Sequence, residues 1–290
     1  MGLGVWRAYR ALRRRVLRRR IAEEQILRRY QRVHDRIYDV SRPPERFTEH
    51  VVARMLDVNR SGNALYTRLS DKYQVREYVR ERVGEEVLTR LIWSGIDPRR
   101  IPFDTLPERC IIKVNNGSGG NIRVDGELDR AAVVRKLSDW LSKDYSGVDH
   151  EYHYAQIKPR VVIEELLDDG QDDGPLDYKL WCFDGVPHYI QVDNSRHSIN
   201  AFYTPDWVLQ PFRYRDGQKD FDMPRPSNLD RLLEVGARLA KGFDFVRVDL
   251  YNVHGNVKFG EMTFTPVGGH MRFRPDDWDL VLGRYWPRKD

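Results

Sequence analysis

Residues 110–114 (CIIKV), apolar except for Lys113, predict a short strand in which side-chain alternation places Lys113 on the face opposite Ile112 and Val114. Residues 121–124 (NIRV) show a second strand pattern and are followed by Asp125-Gly126. The segment between the two strands is rich in glycine, so we expect a hairpin whose tip is the glycine segment.

The rest of the chain alternates between helical and strand patterns. The predicted elements, in chain order, are helices at 48–56 and 70–83 (the second with Ser70 as N-cap), a helix at 131–141, a strand at 160–167, a hairpin at 177–190 turning at Asp184-Gly185, an amphipathic helix at 228–241, and a hairpin of strands 245–251 and 256–261. Several hairpins mixed with helices indicate the α+β class with antiparallel sheets.

The basic residues are concentrated at the N-terminus. Residues 1–20 hold eight Arg and no acid, more than the net charge of +5 of the whole chain, so the rest is slightly acidic. Such a body does not favour nucleic acid as a partner. Val5, Tyr9 and Leu12 stand at helical spacing among these Arg, which predicts an amphipathic helix. The helix can lie on an anionic membrane surface or pack on the body, and the pattern leaves both open.

Composition also bears on compartment and domains. Cys110 and Cys182 are the two cysteines, and both lie in apolar strand-like segments, so we expect no disulfide framework and a cytoplasmic protein, held at the inner membrane face if the arm binds lipid. No apolar run approaches the ~18 residues of a membrane span. Prolines at 96–109 suggest a boundary between a helical N-terminal part and a nucleotide-binding domain. We therefore expect a basic helical arm (1–40), a helical N-terminal region (41–105) and a nucleotide-binding and catalytic region (106–290).

The glycine segment after Lys113 has the layout of a phosphate-binding loop, consisting of Gly117, Ser118, Gly119 and Gly120. Glycine permits positive φ and lets backbone N–H groups converge on an anion, while the lysine adds a point charge. A Walker A loop has its lysine after the glycines, and both it and a dinucleotide fingerprint open a helix. Here a strand follows, so we expect a hairpin closing over a ligand, or else an ordinary flexible β-turn.

Two acids and an arginine are predicted to meet on the last hairpin. Asp249 and Glu261 lie on its neighbouring strands, Arg247 shares a face with Asp249, and Thr263 shares a face with Glu261. Two carboxylates and a hydroxyl suit a hard divalent cation, and the arginine can bind a phosphoryl group in bidentate fashion. The alternative is simple salt bridging among Arg247, Asp249 and Lys258.

Taken in order, these features resemble the ATP-grasp superfamily, in which two antiparallel α+β subdomains hold ATP between them. More narrowly, the chain from about 70 to 285 resembles the TupA-like ATP-grasp group, associated with bacterial teichuronopeptide and related surface-polysaccharide biosynthesis. The motifs that carry the resemblance are DKYQVREYV, GIDPRRIPFDTLP, IIKVNNGSGGNI, VVIEELL, DYKLWCFDG and FVRVDLYNVHGNVKFGEMTFTP. The basic arm lies outside it. The resemblance implies an ATP-grasp fold preceded by a helical region.

The resemblance also implies a nucleotide site. Lys72 and Lys113 would contact the phosphates of ATP, and Asp177 would hold the ribose hydroxyls. The adenine would lie against a hinge made of Glu164, Glu165 and Leu167. Lys179 stands two residues beyond Asp177 on the same strand face, within reach of phosphate or substrate.

Position by position, Asp249 and Glu261 look like the Mg²⁺ ligands, and Arg247 resembles the arginine that stabilises an acyl-phosphate transition state. Many ATP-grasp enzymes have Asn two residues after the metal Glu, whereas this chain has Thr263. A threonine still offers an oxygen, but we expect the second Mg²⁺ to be held less tightly.

The implied activity is that of an ATP-dependent carboxylate–amine ligase, which joins a carboxylate-bearing glycan or peptide to an amine through an acyl phosphate. The acceptor would lie near TFTPVGGHMRFRP. Gly268 and Gly269 could present backbone donors to an oxyanion, and His270 and Arg272 could bind an acidic sugar or peptide carboxylate. Alternatively, His270 is structural and the arginine is a surface residue. Two other functions stay open, namely a glycan or sugar kinase and a non-enzymatic binding protein.

Overall fold

The computed structural model describes residues 3–117, 120–143, 150–170, 174–194, 200–214 and 222–287. Ser118 and Gly119 of the predicted phosphate loop lie outside these described residues.

The described elements are helices and antiparallel strands in mixed order. The helices are α1 (Leu3–His34), α2 (Phe47–Ser61), α3 (Ala64–Ser70), α4 (Val75–Val83), α5 (Arg130–Ser142), α6 (Leu229–Ala240) and α7 (Asp277–Tyr285). The strands are β1 (Leu91–Gly95), β2 (Arg109–Val114), β3 (Asn121–Asp125), β4 (Val161–Glu165), β5 (Asp177–Phe183), β6 (Val186–Asp193), β7 (Asn200–Tyr203), β8 (Phe245–Val253) and β9 (Asn256–Thr263). Short 3₁₀ turns lie at Tyr152–Gln156 and Pro266–Gly269.

The strands form two antiparallel sheets. The small sheet has the order β1-β4-β2-β3, and the large sheet has the order β7-β6-β5-β8-β9. The three predicted hairpins, β2-β3, β5-β6 and β8-β9, are confirmed. Two of them close through residue pairs with positive φ, Asp184-Gly185 and His254-Gly255, as two-residue hairpin turns require. The α+β architecture predicted from the sequence is confirmed.

The small sheet has a core of its own. On one face Cys110, Ile112 and Val114 pack with Val133 and Leu137 of α5. The alternation of β2 turns Lys113 to the other face, where it meets side chains of β4. That second face carries the charged side chains Lys113 and Glu164 beside the apolar Ile111 and Val162.

The large sheet buries one face against α4 and α6, where Leu180 and Val248 pack with Val79 and Leu239. Its other face has two halves. The apolar half is aromatic and is covered by α1, α2 and α7, with the ring of Phe47 5.0 Å from that of Trp181. The polar half bears the side chains Asp177, Lys179, Arg247, Asp249, Tyr251, Glu261 and Thr263. The halves lie on the same strands, so aromatic packing fixes the strands that carry the polar groups.

Helix α2 is tied to the large sheet and to α7 by buried polar contacts. Arg54 Nη1 donates to the carbonyls of Phe245 and Phe264, each at 2.9 Å. Asp279 of α7 accepts hydrogen bonds from the backbone N and the hydroxyl of Thr48, at 2.9 and 2.7 Å. These contacts satisfy backbone groups at the start of α2 and at the edge of the aromatic half.

Two sequence predictions for the N-terminal half were wrong. The region predicted to be helical contains strand β1, which pairs with β4 through Trp93 and Ile163. The helix predicted at 70–83 begins only at Val75, and Ser70 is the last residue of the preceding helix α3 rather than the N-cap of α4. Asp71 Oδ1 instead accepts hydrogen bonds from the backbone N atoms of Tyr73 and Gln74, at 2.8 and 3.2 Å, before α4 begins. The division of the chain at residue 106 stays a prediction.

In the part of the chain that the structure describes, no helix combines the length and apolar character needed to cross a bilayer. Cys110 and Cys182 are buried free thiols, as expected for a chain without a disulfide framework.

Candidate active site

The centre of the candidate site is an arginine that contacts three oxygen-bearing side chains on β8 and β9. Arg247 Nε and Nη2 donate to the two oxygens of Asp249, both at 2.7 Å. Nη2 also lies 3.2 Å from Glu261 Oε1 and 3.1 Å from Thr263 Oγ1. The predicted juxtaposition of Arg247, Asp249, Glu261 and Thr263 is therefore present.

Strand register explains this arrangement. Arg247 is opposite Thr263, and Asp249 is opposite Glu261. The register then shifts at a bulge, with Gly260 as the extra residue, where a Cβ would lie 3.0 Å from the carbonyl oxygen of Asp249. A bulge re-aims a neighbouring side chain, and glycine is the residue that tolerates this close backbone approach.

Lys179 of β5 joins the same cluster from the neighbouring strand. Its ammonium contacts Asp177 and lies 3.3 Å from Asp249 Oδ2. Burial alone would raise the pKa of Asp249, but Arg247 and Lys179 outweigh it and hold that pKa below its usual value. Burial raises the pKa of Asp177 to about 7, even with Lys179 beside it. Asp249 is thus held ionised between two cations.

Lys258 does not take part in this network. Its ammonium donates to the backbone carbonyls of Glu86 and Leu88, at 3.0 and 3.2 Å. The salt bridge between Arg247 and Asp249 exists, but the cross-strand network with Lys258 that the sequence left open does not form.

The small sheet supplies a second charged cluster around a buried glutamate. Glu164 Oε2 lies 2.6 Å from Lys113 Nζ, and Glu164 Oε1 accepts a hydrogen bond of 2.6 Å from Arg76 Nη1. Lys113 is opposite Val162 in the β2-β4 register, so Glu164, two residues on, shares its face. The side chain of Glu164 thus pairs with Lys113 rather than standing free at the predicted hinge.

Lys72 lies against the segment that follows β2 of the small sheet. Its ammonium donates to the carbonyl of Gly117 at 2.6 Å, at the base of the glycine loop. Burial lowers the pKa of Lys72, Glu261 of the large sheet opposes that effect, and Lys113 adds to it. Charged groups of both sheets therefore act on the Lys72 ammonium. The structure brings Lys72, Lys113 and Glu261 to one region, as the sequence predicted.

Two tyrosines that no sequence pattern singled out also lie in this region. Tyr251 follows Asp249 on the same face of β8, and the charge of Asp177 is the largest cause that raises its pKa, with burial and Glu261 adding to it. The period-2 pattern that links Arg247 to Asp249 extends to Tyr251, so this residue could have been found. Tyr154, whose pKa is raised by burial, Glu151 and Glu261, lies on a 3₁₀ turn that has no sequence signal.

The other predicted nucleotide residues have mixed surroundings. Glu165 points away from Glu164, and its Oε1 accepts a hydrogen bond of 2.9 Å from the backbone N of Arg90. Leu167 is half-buried in the segment that follows β4. A Cβ on Gly120 would lie 3.5 Å from the ring of Trp140, so the loop returns to β3 close to α5.

The predicted substrate residues separate into two groups. Gly268 N donates to the carbonyl of Thr265 at 2.9 Å, so that backbone donor is used within the turn rather than aimed at an oxyanion. Gly269 has φ of 72°, and a Cβ there would lie 3.1 Å from Val52, so glycine serves packing against α2. His270 N closes the same turn by donating to the carbonyl of Val267 at 3.0 Å.

Arg272 lies elsewhere. Its guanidinium is 3.6 Å from Asp35, just beyond the end of α1, and the side chain is half-exposed. This position is next to the N-terminal helix rather than in the cluster of Arg247.

The donor set fits a divalent cation together with a polyphosphate. Asp249, Glu261 and Thr263 offer the oxygen ligands that hard cations prefer, and Glu261 stays 41% exposed. Asp177 Oδ1 is buried without a hydrogen-bond partner in the described structure, an acceptor that a bound group would satisfy. Among the described residues no three His, Cys, Asp or Glu side chains are arranged to hold a metal alone. Ligand oxygens from a phosphate would therefore complete the shell, as is usual for Mg²⁺.

A family model described as TupA-like ATPgrasp matches residues 49–286. No curated protein resembles the chain closely enough to count as a relative.

Three of the solved structures to which this chain is similar have low sequence identity to it. They include D-alanine–D-alanine ligase from Bacillus anthracis complexed with ATP (16% identity, 68% of this chain and 54% of that one, TM-score 0.42). Phosphoribosylamine–glycine ligase from Thermotoga maritima aligns at 13% identity over 69% of this chain and 48% of that one, with a TM-score of 0.40. The ATP-grasp ligase PsnB complexed with minimal precursor aligns at 15% identity over 75% of this chain and 60% of that one, with a TM-score of 0.39. This chain thus spans between 48% and 60% of the length of these three structures.

Proposed function

Because this chain belongs to the TupA-like ATP-grasp family, we propose that it is an ATP-dependent carboxylate–amine ligase. Its fold is the ATP-grasp fold predicted from the sequence, with two antiparallel sheets in an α+β arrangement. The substrates proposed from the sequence resemblance are an acidic surface polysaccharide or its precursor and an amino acid or other amine.

One observation carries the proposal more than any other. Lys72 Nζ donates to the carbonyl of Gly117 at the base of the glycine loop, and the charges of Lys113, Glu164 and Glu261 act on it. A polyphosphate placed there would be contacted by cations from the small sheet and by the Arg247 cluster of the large sheet. This is the arrangement that phosphoryl transfer requires, because catalysis of that reaction depends on positioning and charge stabilisation.

Each residue then has a role that follows from its position. Asp249, Glu261 and Thr263 would hold Mg²⁺, and bound Mg²⁺-ATP supplies the phosphoryl group that turns a carboxylate into an acyl phosphate open to attack by an amine. Arg247, already bidentate on Asp249, has Nη2 directed toward Glu261 and can stabilise charge on the transferring group.

The remaining residues would position the nucleotide. Lys72, Lys113 and Lys179 would neutralise phosphate oxygens, together with backbone N–H groups of the glycine loop. Asp177, with its unpaired Oδ1, would accept from the ribose hydroxyls. Glu165 and Leu167 follow Glu164 along the chain and would border the adenine.

The test is an ADP-release assay with ATP, Mg²⁺ and a matrix of acidic oligosaccharides and amines, followed by mass spectrometry. A ligase forms ADP, free phosphate and an amide, and it requires both substrates. Formation of a stable phosphate ester without any amine would contradict the ligase and favour a kinase. If no ATP turnover that depends on Asp249 is detected, both the ligase and the kinase are contradicted.

The N-terminal segment has a separate proposed role. The eight Arg of residues 1–20 would hold the enzyme at an anionic membrane surface, where lipid-linked glycans are built. Deleting residues 1–20 should abolish sedimentation with anionic liposomes at low salt and leave ATP binding intact. Unchanged sedimentation would contradict the membrane role.

A further inference from the structure

A buried asparagine that directly follows β2 joins three segments of the chain. Asn115 is only 1% exposed. Its Nδ2 donates to Asp71 Oδ1 at 2.9 Å and to the carbonyl of Lys158 at 3.1 Å. Its Oδ1 accepts a hydrogen bond of 2.7 Å from the backbone N of Arg160. The segment before α4, the segment after β2 and the segment before β4 therefore meet at one amide group.

The backbone of Asn115 takes part in the same junction. Its N–H donates to the carbonyl of Arg160 at 3.0 Å, and its carbonyl accepts from the backbone N of Lys72 at 3.4 Å. An amide side chain has both donors and an acceptor, whereas a carboxylate of the same size has acceptors alone. Asparagine at this position therefore connects the small sheet to the junction between α3 and α4 through donors that aspartate lacks.

Asp71 is the partner on the other side of this connection. It is 2% exposed, and its Oδ1 also accepts from the backbone N atoms of Tyr73 and Gln74, at 2.8 and 3.2 Å. Its Oδ2 accepts from Gln74 Nε2 at 2.7 Å. The contact with Asn115 thus ends on a carboxylate that is itself fixed to the start of α4, and Lys72 is the next residue along the chain.

Lys72 is attached to the segment after β2 at both of its ends. Its backbone N donates to the carbonyl of Asn115, and its Nζ donates to the carbonyl of Gly117 at 2.6 Å. An ammonium group has three donors, so two of them are left for phosphate oxygens. A lysine loses rotamer freedom when it binds an anion, and a lysine that is already held in place loses less.

We propose that Asn115 and Asp71 are positioning residues, which hold the Lys72 ammonium at the base of the glycine loop before the nucleotide binds. The proposal rests on the proposed function, because it takes Lys72 to contact the phosphates of ATP. Asn115 and Asp71 do not touch the nucleotide and act through Lys72. Their contribution is to nucleotide affinity, because they keep Lys72 and the loop base in one fixed relation.

The test is a double-mutant cycle on nucleotide binding by the full chain. Calorimetry with Mg²⁺ and the non-hydrolysable analogue AMP-PNP measures affinity independently of turnover. Asn115→Ala should bind about tenfold more weakly, because Lys72 loses its fixed position. Lys72→Met removes the ammonium itself. The double variant should bind no more weakly than Lys72→Met alone, because Asn115 acts through Lys72.

The matched control is Asn228→Ala. Asn228 Nδ2 also donates to one side chain and one carbonyl, Asn252 Oδ1 at 3.0 Å and Gly255 O at 2.9 Å, but it has no contact with Lys72. This variant should lower the melting temperature and leave the affinity for AMP-PNP unchanged.

A second pair of variants separates hydrogen bonding from charge at Asp71. Burial lowers the pKa of Lys72, and the charge of Asp71 is among those that oppose this effect. Asp71→Asn keeps an oxygen for Asn115 and for the start of α4, and the exposed amide of Gln74 can turn over to accept from it. Asp71→Asn should therefore keep the affinity within about threefold, whereas Asp71→Ala should lose about tenfold.

Several results would overturn the proposal. If the losses of Asn115→Ala and Lys72→Met multiply in the double variant, Asn115 acts independently of Lys72. Parent-like affinity in folded Asn115→Ala would also contradict it. If Asn115→Ala does not fold, the Asp71 pair decides. An equal loss of affinity in Asp71→Asn and Asp71→Ala would show that the charge acts rather than the hydrogen bonds.

The positioning role and the ligase can fail separately. Non-additive losses of AMP-PNP affinity without amide formation for any substrate pair would support the positioning role and contradict the ligase. Amide formation together with fully additive losses would support the ligase and contradict the positioning role. If the parent does not bind AMP-PNP, both are contradicted.

Discussion

Lys113 and Glu164 face each other across strands β2 and β4, with Lys113 Nζ 2.6 Å from Glu164 Oε2. Arg76 holds the other oxygen of the same carboxylate at 2.6 Å. Glu164 is only 6% exposed, so two cations depend on one buried anion. Removing a partner from such a group leaves uncompensated charge in a poorly solvated place.

Glu164→Gln should therefore lower the free energy of unfolding by about 3 kcal/mol, measured by denaturant titration. Glu165→Gln is the matched control one residue on, because its partly exposed carboxylate contacts only Arg90, and it should cost less than about 1 kcal/mol. If both variants lower the free energy of unfolding equally, the buried contacts of Glu164 contribute no more to stability than the exposed contact of Glu165.

Asp249→Asn should reduce kcat/KM by at least about a hundredfold and weaken Mn²⁺ binding, because one carboxylate of the proposed metal pair loses its charge. Binding of Mn²⁺ is measured by electron paramagnetic resonance, independently of turnover. Asp230→Asn, at an acid that is 91% exposed and paired with Arg225, is the control and should change neither quantity. Full metal affinity in Asp249→Asn would exclude Asp249 as a ligand.

Gly269→Ala should destabilise the protein by about 2 kcal/mol, since φ is 72° and the new Cβ would meet Val52 at 3.1 Å. Gly242→Ala is the control, because Gly242 has φ of 93° and a methyl group added there would meet only open space. The Gly242→Ala variant should therefore lose only the free energy needed to hold an alanine at positive φ, about 1 kcal/mol. If both variants lose the same stability, contact with α2 contributes nothing at this turn.

The buried His153 should make the fold sensitive to acid. Burial lowers its pKa to about 3, with Arg54 adding to the effect, while the unfolded chain takes up a proton near pH 6.5. Between these values the unfolded state binds more protons, so stability falls as pH falls, by about 1.4 kcal/mol per pH unit.

His153→Gln should remove that contribution, so that the stability lost between pH 7.5 and pH 5 is smaller by about 2 kcal/mol than in the parent. Denaturant titrations at the two pH values measure it. His254→Asn, at an exposed histidine in the β8-β9 turn, should leave the pH dependence as it is. An unchanged slope in His153→Gln would mean that His153 does not titrate on unfolding.

The parts of the site that sequence patterns could predict are those set by strand alternation. Arg247 and Asp249 share a face because of period-2 spacing, but Glu261 and Thr263 reach that face only because the bulge at Gly260 shifts the β8-β9 register by one residue, which alternation does not reveal. The same reasoning found Lys113 and its glycine loop, and the family resemblance placed Lys72.

Other features depend on partners that are distant in sequence. Arg76 reaches Glu164 from a helix 88 residues earlier, and no local spacing indicates that pair. The chain breaks between α3 and α4 at Asp71, whose side chain accepts hydrogen bonds from the backbone just before α4. Helical periodicity alone did not reveal this break. Gly268 appeared as a donor to substrate, yet its N–H is used inside its own turn, which only the backbone path shows.

The separate core of the small sheet has a consequence for how a nucleotide could enter. Lys179 is two residues from Trp181, whose ring is locked among aromatic neighbours, so the floor of the cleft has little freedom to shift. Lys113 instead lies on a sheet whose apolar face packs with α5 in a separate cluster, although Arg76 of α4 binds Glu164 of the same sheet. A nucleotide would therefore enter past a sheet that a buried ion pair tethers to α4, and widening the entrance would require that pair to stretch or break.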